Sequence, residues 1–256
     1  MKHLIVANWK MHLAPGEAQR LLAKIQNGLP SESGTDVVVC PPFVDLPGLK
    51  ADLLPAKVKL GAQNLHARDD GPFTGEISGP MLKGLVTHVI VGHSERRAMG
   101  ETDKDVAAKL AAAVRNGLTP ILCVGETLHE REHDLSLKVV TDQVTAALTG
   151  LTAHDIAGIV VAYEPIWAIN HGPAQGRPAT PDEIAGPVQA IHRVLEDLYG
   201  EAGGASTRVL YGGSSSADNC RAYLGADGID GLLVGGDSLV AADFLAIVAA
   251  AKAAAV

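Results

Sequence analysis

Aromatic side chains are scarce, at 4% of the residues. Surfaces that stack nucleic-acid bases need such rings, so this composition argues against one. Positive charge is also in short supply. Lys and Arg number 21 against 29 Asp and Glu, a formal net charge of −8 with His neutral. Such a chain lacks the general field that draws in DNA, RNA or anionic membranes, although it can still bind an anion locally. Cysteine occurs only at Cys40, Cys123 and Cys220. The number is odd and no pair forms a CxxC, so they read as reduced thiols of a cytoplasmic protein. No apolar run approaches ~18 residues, so no membrane span is expected. The first eight residues reach Asn8 before a signal-peptide core can form. Neither a GxGxxG fingerprint nor a P-loop occurs, and no linker or low-complexity stretch divides the chain.

What is present is an ordinary globular composition, 47% hydrophobic and 20% charged over 256 residues. A chain of this length buries a sizeable core without disulfides or metals. It also suits one α/β barrel of roughly 250 residues, and a single domain over residues 1–256 is expected. Short runs rich in Val, Ile and Leu recur at 4–7, 37–40, 58–60, 88–91, 121–124, 159–162, 209–211 and 231–234. They are unbroken rather than alternating, as in parallel strands buried on both faces.

Helical stretches lie between the runs. Residues 102–115 open on Thr102 and stop at Asn116-Gly117, with Val106, Leu110 and Ala113 or Val114 on one face. Thr180-Pro181-Asp182-Glu183 carries a cap residue, a first-position Pro and first-turn acids. A last apolar helix is expected over 239–250, with the Ala-rich stretch 249–256 as its fraying end. The alternation predicts α/β architecture, either a closed (β/α)8 barrel or an open doubly wound sheet. The missing glycine fingerprint favours the barrel. Polar residues follow nearly every strand, and a barrel gathers those ends on one face.

Three segments there carry chemistry. Glu164 follows a strand and precedes Pro165, where the backbone turns and a carboxylate can face a pocket. His93 follows a strand in Gly92-His93-Ser94-Glu95-Arg96-Arg97. Lys10 lies in Asn8-Trp9-Lys10 after the first strand. Each has an ordinary reading when taken singly: a salt-bridged surface glutamate, a hydrogen-bonded core histidine, a solvated lysine.

Together these segments resemble the triosephosphate isomerase family. So do Tyr163-Glu164-Pro165-Ile166-Trp167-Ala168-Ile169, Tyr211-Gly212-Gly213-Ser214, Leu233-Val234-Gly235-Gly236, Gly61-Ala62-Gln63-Asn64 and Thr74-Gly75-Glu76-Ile77-Ser78, in order over essentially the whole chain. The resemblance implies a TIM barrel that interconverts dihydroxyacetone phosphate and D-glyceraldehyde 3-phosphate in glycolysis and gluconeogenesis. That family is itself the standard illustration of a glutamate base working beside a neutral histidine. Carried over, Glu164 is the base, and Asn8, Lys10 and His93 are donors to the enediolate oxygen. Glu95 is a supporting residue, and Tyr211 supports the lid by securing, with Ser214, its closed form.

Substrate phosphate would be held by Ser214, Gly235 and Gly236 and by lid residues Asn170 and His171. Pro165, Ile166 and Trp167 would form the leading hinge of the lid, and Arg177, Pro178 and Ala179 the trailing one. Phe73 and Thr74, at the tip of the loop over 66–78, would enter a second subunit and bring Thr74 near its Asn8 and His93. A small phosphorylated triose and a homodimer are thus the expected partners. The chemistry requires no cofactor and no metal.

Other patterns carry less. His129 and His133 satisfy HExxH but lie in a charged stretch and read as a solvated helical face. Ser94 begins like a nucleophile elbow, but Arg96 breaks that pattern. Cys123, at the end of a buried run, reads as packing. Departures from the family pattern are a lid lengthened over 170–175, a slightly shorter 97–101, and Ser215 where Val is common. The last two are expected to change packing only. Two alternatives stay open: an isomerase of a four-carbon ketose phosphate, and a non-catalytic barrel with a binding or assembly role.

Overall fold

A computed structural model describes residues 2–30, 34–169 and 177–254. Its sheet comprises β1 (Leu4–Asn8), β2 (Asp36–Cys40), β3 (Lys59–Ala62), β4 (His88–Val91), β5 (Thr119–Val124), β6 (Val160–Tyr163), β7 (Arg208–Tyr211) and β8 (Gly231–Val234). Each strand pairs in parallel with its sequence neighbours, and β1 pairs with β8, Leu4 opposite Gly231 and Ala7 opposite Val234. The strands therefore close into a barrel, the (β/α)8 fold that the alternation predicted.

Two apolar layers explain the unbroken strand sequences. Leu4, Val6, Val38, Ile90, Ile121 and Leu210 belong to one buried cluster. Their strand neighbours Ile5, Val37, Val39, Val89 and Val209 belong to a second, with residues of the surrounding helices. Alternate side chains of a strand point to opposite faces, so the first set fills the barrel and the second packs under the helices. Burying one such side chain contributes about 1.5–3 kcal/mol, so these layers dominate the favourable side of folding.

The helices are α1 (Pro15–Gly28), α2 (Leu46–Ala51), α3 (Gly79–Leu82), α4 (Ser94–Ala98), α5 (Asp103–Arg115), α6 (Leu128–Glu132), α7 (Ser136–Leu148), α8 (Ala153–Ile156), α9 (Pro181–Ser206), α10 (Cys220–Leu224) and α11 (Ala241–Ala254). Thr102 caps α5 and Thr180 caps α9 through reciprocal bonds with Asp105 and Glu183. The α9 helix is broken at Gly200, where φ is 77°.

The final helix differs from expectation at its start. Leu239 belongs to a short 3-10 turn, Gly236–Leu239, and α11 starts at Ala241. It runs on through Ala254, because Val248, Ala250 and Ala251 are buried and hold the Ala-rich stretch on the barrel. No helix among the described residues is long and apolar enough to cross a membrane.

Candidate active site

Glu164 follows β6 directly. Its backbone N–H donates to the Val124 carbonyl at 2.7 Å, and the Gly212 N–H donates to the Tyr163 carbonyl at 2.8 Å. The turn is thus tied to both neighbouring strands. Glycine permits that closeness: a Cβ on Gly125 would fall 1.9 Å from the Glu164 carbonyl oxygen. The side chain is buried, and its two oxygens differ. Oε2 accepts the Ser94 backbone N–H at 3.0 Å. Oε1 lies 3.2 Å from His93 Nε2.

His93 caps α4, and its Nδ1 accepts the Glu95 backbone N–H at 3.2 Å. A ring nitrogen that accepts carries no proton, so the imidazole is neutral with its hydrogen on Nε2. The cap therefore turns His93 into a donor facing the carboxylate and the cleft.

Lys10 is positioned by three contacts. Asn8 Oδ1 accepts its backbone N–H at 3.0 Å, Gln63 donates to its carbonyl at 2.8 Å, and its ammonium meets Glu95 Oε1 at 2.6 Å. Its φ is +51°, a conformation that costs a non-glycine residue energy and persists only when its surroundings hold it. With Asn8 Oδ1 engaged, the amide N–H₂ is the group that Asn8 can offer a ligand. Asn8, Lys10, His93 and Glu164 share a cleft of about 420 Å³.

The opposite wall of the cleft is backbone-rich. Gly212, Gly213, Ser214, Gly235 and Gly236 line it, as do Ile169 and Pro178 from the two ends of the expected lid. The Ser214 N–H donates to the Ala168 carbonyl at 3.1 Å. Gly236 opens only a short 3-10 turn rather than a long helix. Ser215 also lines the cleft, so the expectation that it alters packing alone is corrected. Asp237 lines it too. Burial and the nearby Asp243 and Asp218 raise its carboxyl above the usual range.

The leading hinge is tied down by a residue that sequence reasoning missed. Glu126 is fully buried just after β5. It accepts Trp167 Nε1 at 2.8 Å and the Tyr163 hydroxyl at 3.1 and 3.0 Å, and its carbonyl accepts the Ile166 N–H at 3.0 Å. Burial and the Glu126 charge raise the Tyr163 hydroxyl well above its ordinary value, so it stays a donor. Arg131 lies 4.1 Å over the Trp167 ring. On the trailing side, Arg177 holds Glu183, and Ala179 is tied through its carbonyl to Tyr223 at 2.7 Å. The signal for Glu126 was a carboxylate at a strand end, the same signal as Glu164, hidden by the charged residues that follow.

Asn170 and His171 lie outside the described residues. Phe73 and Thr74 are exposed and away from the cleft lining of their own chain. His129 and His133 lie on or beside α6, which buries none of its residues, and His133 Nδ1 contacts the His129 carbonyl at 2.8 Å. Burial pushes the thiols of Cys40 and Cys123 far up, and Glu164 adds to this at Cys123. A protonated thiol is a poor nucleophile, in keeping with a packing role.

A closed parallel barrel whose C-terminal mouth joins a buried carboxylate, an imidazole N–H and an ammonium defines a barrel enzyme equipped for proton transfer. Comparison with known proteins narrows the class. The family model described as triosephosphate isomerase matches residues 3–251. A triosephosphate isomerase of Symbiobacterium thermophilum is 43% identical over 250 residues, covering 97% of this chain and 96% of that protein. Another, of Carboxydothermus hydrogenoformans, is 44% identical over 249 residues, covering 96% and 98%. The chain belongs to the triosephosphate isomerase family.

Proposed function

We propose that Glu164 is the base in the interconversion of dihydroxyacetone phosphate and D-glyceraldehyde 3-phosphate, the activity that family membership carries. The observation behind this is the Glu164 carboxylate, buried at the cleft with Oε1 3.2 Å from His93 Nε2. Glu164 removes a proton from the hydroxymethyl carbon of the ketose, leaving an enediolate, and returns it to the neighbouring carbon, while the hydroxyl proton passes from the first oxygen to the former carbonyl oxygen. His93 Nε2–H, the Lys10 ammonium and the Asn8 amide stabilise the oxygen on which charge develops. Preorganised donors of this kind often supply the largest catalytic term. Glu95 holds the ammonium in place. Backbone N–H groups near Ser214, Gly235 and Gly236 take the phosphate.

The lid reading extends this. Pro165, Ile166 and Trp167 lead into it and Arg177, Pro178 and Ala179 lead out; its tip, including the phosphate contacts at Asn170 and His171, lies outside the described residues. Closure would exclude water from an enediolate that otherwise loses phosphate.

A homodimer is part of the same reading. The loop over 66–78 is preorganised as an arm: the His66 N–H donates to the Ile77 carbonyl at 2.7 Å, and Arg115 grips Asp69 at 2.9 Å. Its tip exposes Thr74 and Phe73. Near the cleft, Met11 and Met99 are 94% and 73% exposed, a large apolar surface for a partner to cover. A cytoplasmic location and one domain over 1–256 complete the proposal.

The experiment is a coupled assay with dihydroxyacetone phosphate. Glu164→Gln should keep the fold and bind substrate but lose about 10²–10⁴-fold in turnover, the usual share of a general base. Near-normal turnover by this variant would remove Glu164 from the role. Faster turnover of a four-carbon ketose phosphate than of the triose would favour the longer substrate. Absence of proton exchange from substrate into solvent would favour a non-catalytic barrel.

A further inference from the structure

We infer that Tyr223 is a positioning residue for the phosphate end of the cleft, tying the loop after β7 to the segment that enters α9. The inference rests on the reading that backbone at Gly212, Gly213 and Ser214 faces substrate phosphate.

Tyr223 lies on α10, outside the cleft lining, and is 2% exposed. Its hydroxyl donates to the Ala179 carbonyl at 2.7 Å. Ala179 is itself buried, so that carbonyl has little access to water as an alternative partner. The Tyr223 ring stacks on Tyr211, with centroids 4.0 Å apart and planes inclined by 24°.

Tyr211 needs this support. It is the last residue of β7 and fully buried. Its hydroxyl interacts with the Tyr223 side chain as its ring stacks on it, so Tyr223 sets its position. The loop rests on it in turn: a Cβ on Gly213 would fall 2.3 Å from the Tyr211 hydroxyl. Contact therefore passes from Ala179 through Tyr223 and Tyr211 to Gly213. The far end of the loop is held separately, Asn219 accepting the Ser216 N–H at 2.7 Å and donating to the Ser214 carbonyl at 3.3 Å.

Backbone donors serve an anion only when they converge on it, and small misplacements are costly. The Tyr223 hydroxyl thus acts on phosphate affinity through the position of the loop, without touching substrate.

The test compares Tyr223→Phe with Tyr199→Phe. Tyr199 makes a chemically matched bond, from its hydroxyl to the Leu148 carbonyl at 3.0 Å, away from the cleft. Both variants keep their ring, and both should melt a few degrees earlier. Tyr223→Phe alone should raise KM for dihydroxyacetone phosphate and the inhibition constant of inorganic phosphate, each by roughly two- to tenfold, the reach of one neutral hydrogen bond. Its kcat should change less than either. Unchanged KM and phosphate inhibition in Tyr223→Phe would overturn the inference, whatever the melting point. Equal rises in KM in both variants would also overturn it, since the effect would then be general loosening. If inorganic phosphate fails to compete with substrate even in the parent protein, the phosphate-grip reading falls as well. Equal competition in parent and Tyr223→Phe removes only the role of Tyr223.

Discussion

Lys10 and Glu95 meet at 2.6 Å across the barrel mouth, and Lys10 does so from a φ of +51°. The pair is half-exposed, so its worth to stability is small. Its consequence is geometric: it sets where the Lys10 ammonium stands in the cleft. Lys10→Ala should weaken substrate binding and turnover together, lowering kcat/KM by about 10²–10³-fold, as for loss of a donor to a developing oxyanion. Glu95→Gln should cost less, because the lysine remains but loses its fixed direction. Steady-state kinetics decide it, and a larger loss in Glu95→Gln than in Lys10→Ala would contradict this order of roles.

The arm over 66–78 is expected to make the protein a dimer. Sedimentation at micromolar concentration should give twice the chain mass. Phe73→Asp, which puts a charge where an apolar tip would be buried, should shift the population to monomer and lower activity at least about tenfold. A parent protein that sediments as a fully active monomer would refute the dimer.

Glu126 joins Trp167 and Tyr163 at the leading hinge. Hydrogen exchange over residues 165–179 is expected to slow when a phosphate-bearing inhibitor saturates the site. Glu126→Gln weakens the acceptor and should speed exchange over 165–169 in the free protein. Identical exchange with and without inhibitor would mean that the segment does not respond to ligand.

His88 makes stability depend on pH. Burial, and then the charges of Lys59 and Arg208, push its imidazole down to about 4, with Asp36 opposing. Its Nδ1 lies 2.7 Å from the Thr87 hydroxyl. In the unfolded chain it titrates near 6.5. Between those values the unfolded state takes up a proton that the folded state refuses, so stability falls as pH drops from about 6.5 to about 4 and levels off below. The full window is worth about 3 kcal/mol. Denaturant melts at pH 7, 5.5 and 4 should show this fall, and His88→Gln should flatten it. An unchanged pH slope in the variant would assign the effect elsewhere.

Much of this molecule was legible in its sequence. The strand runs at 88–91 and 231–234 match β4 and β8 to the residue, and the others lie within a few residues of theirs. The caps at Thr102 and Thr180 were legible for the same reason: they depend on neighbours three residues away. Asn8, Lys10, His93 and Glu164 were identifiable because their flanking segments are distinctive, and the fold does bring them to one cleft.

What the sequence left open depended on contacts between distant parts of the chain. The barrel itself was expected, but the register in which β1 meets β8 to close it, Leu4 opposite Gly231, is encoded in no local pattern. Which nitrogen of His93 carries the hydrogen is decided by the Glu95 backbone at the cap of α4. The purpose of Glu126 depends on Trp167, that of Tyr223 on Ala179, and the cleft position of Ser215 on the loop after β7. The start of the Ala-rich C-terminal stretch is fixed by the burial of Ala250 and Ala251, which its composition alone does not show. Local propensity and periodicity are properties of short windows and survive in a sequence. Burial, ion pairing and tautomer belong to atoms brought together from far apart, so only the tertiary structure decided them.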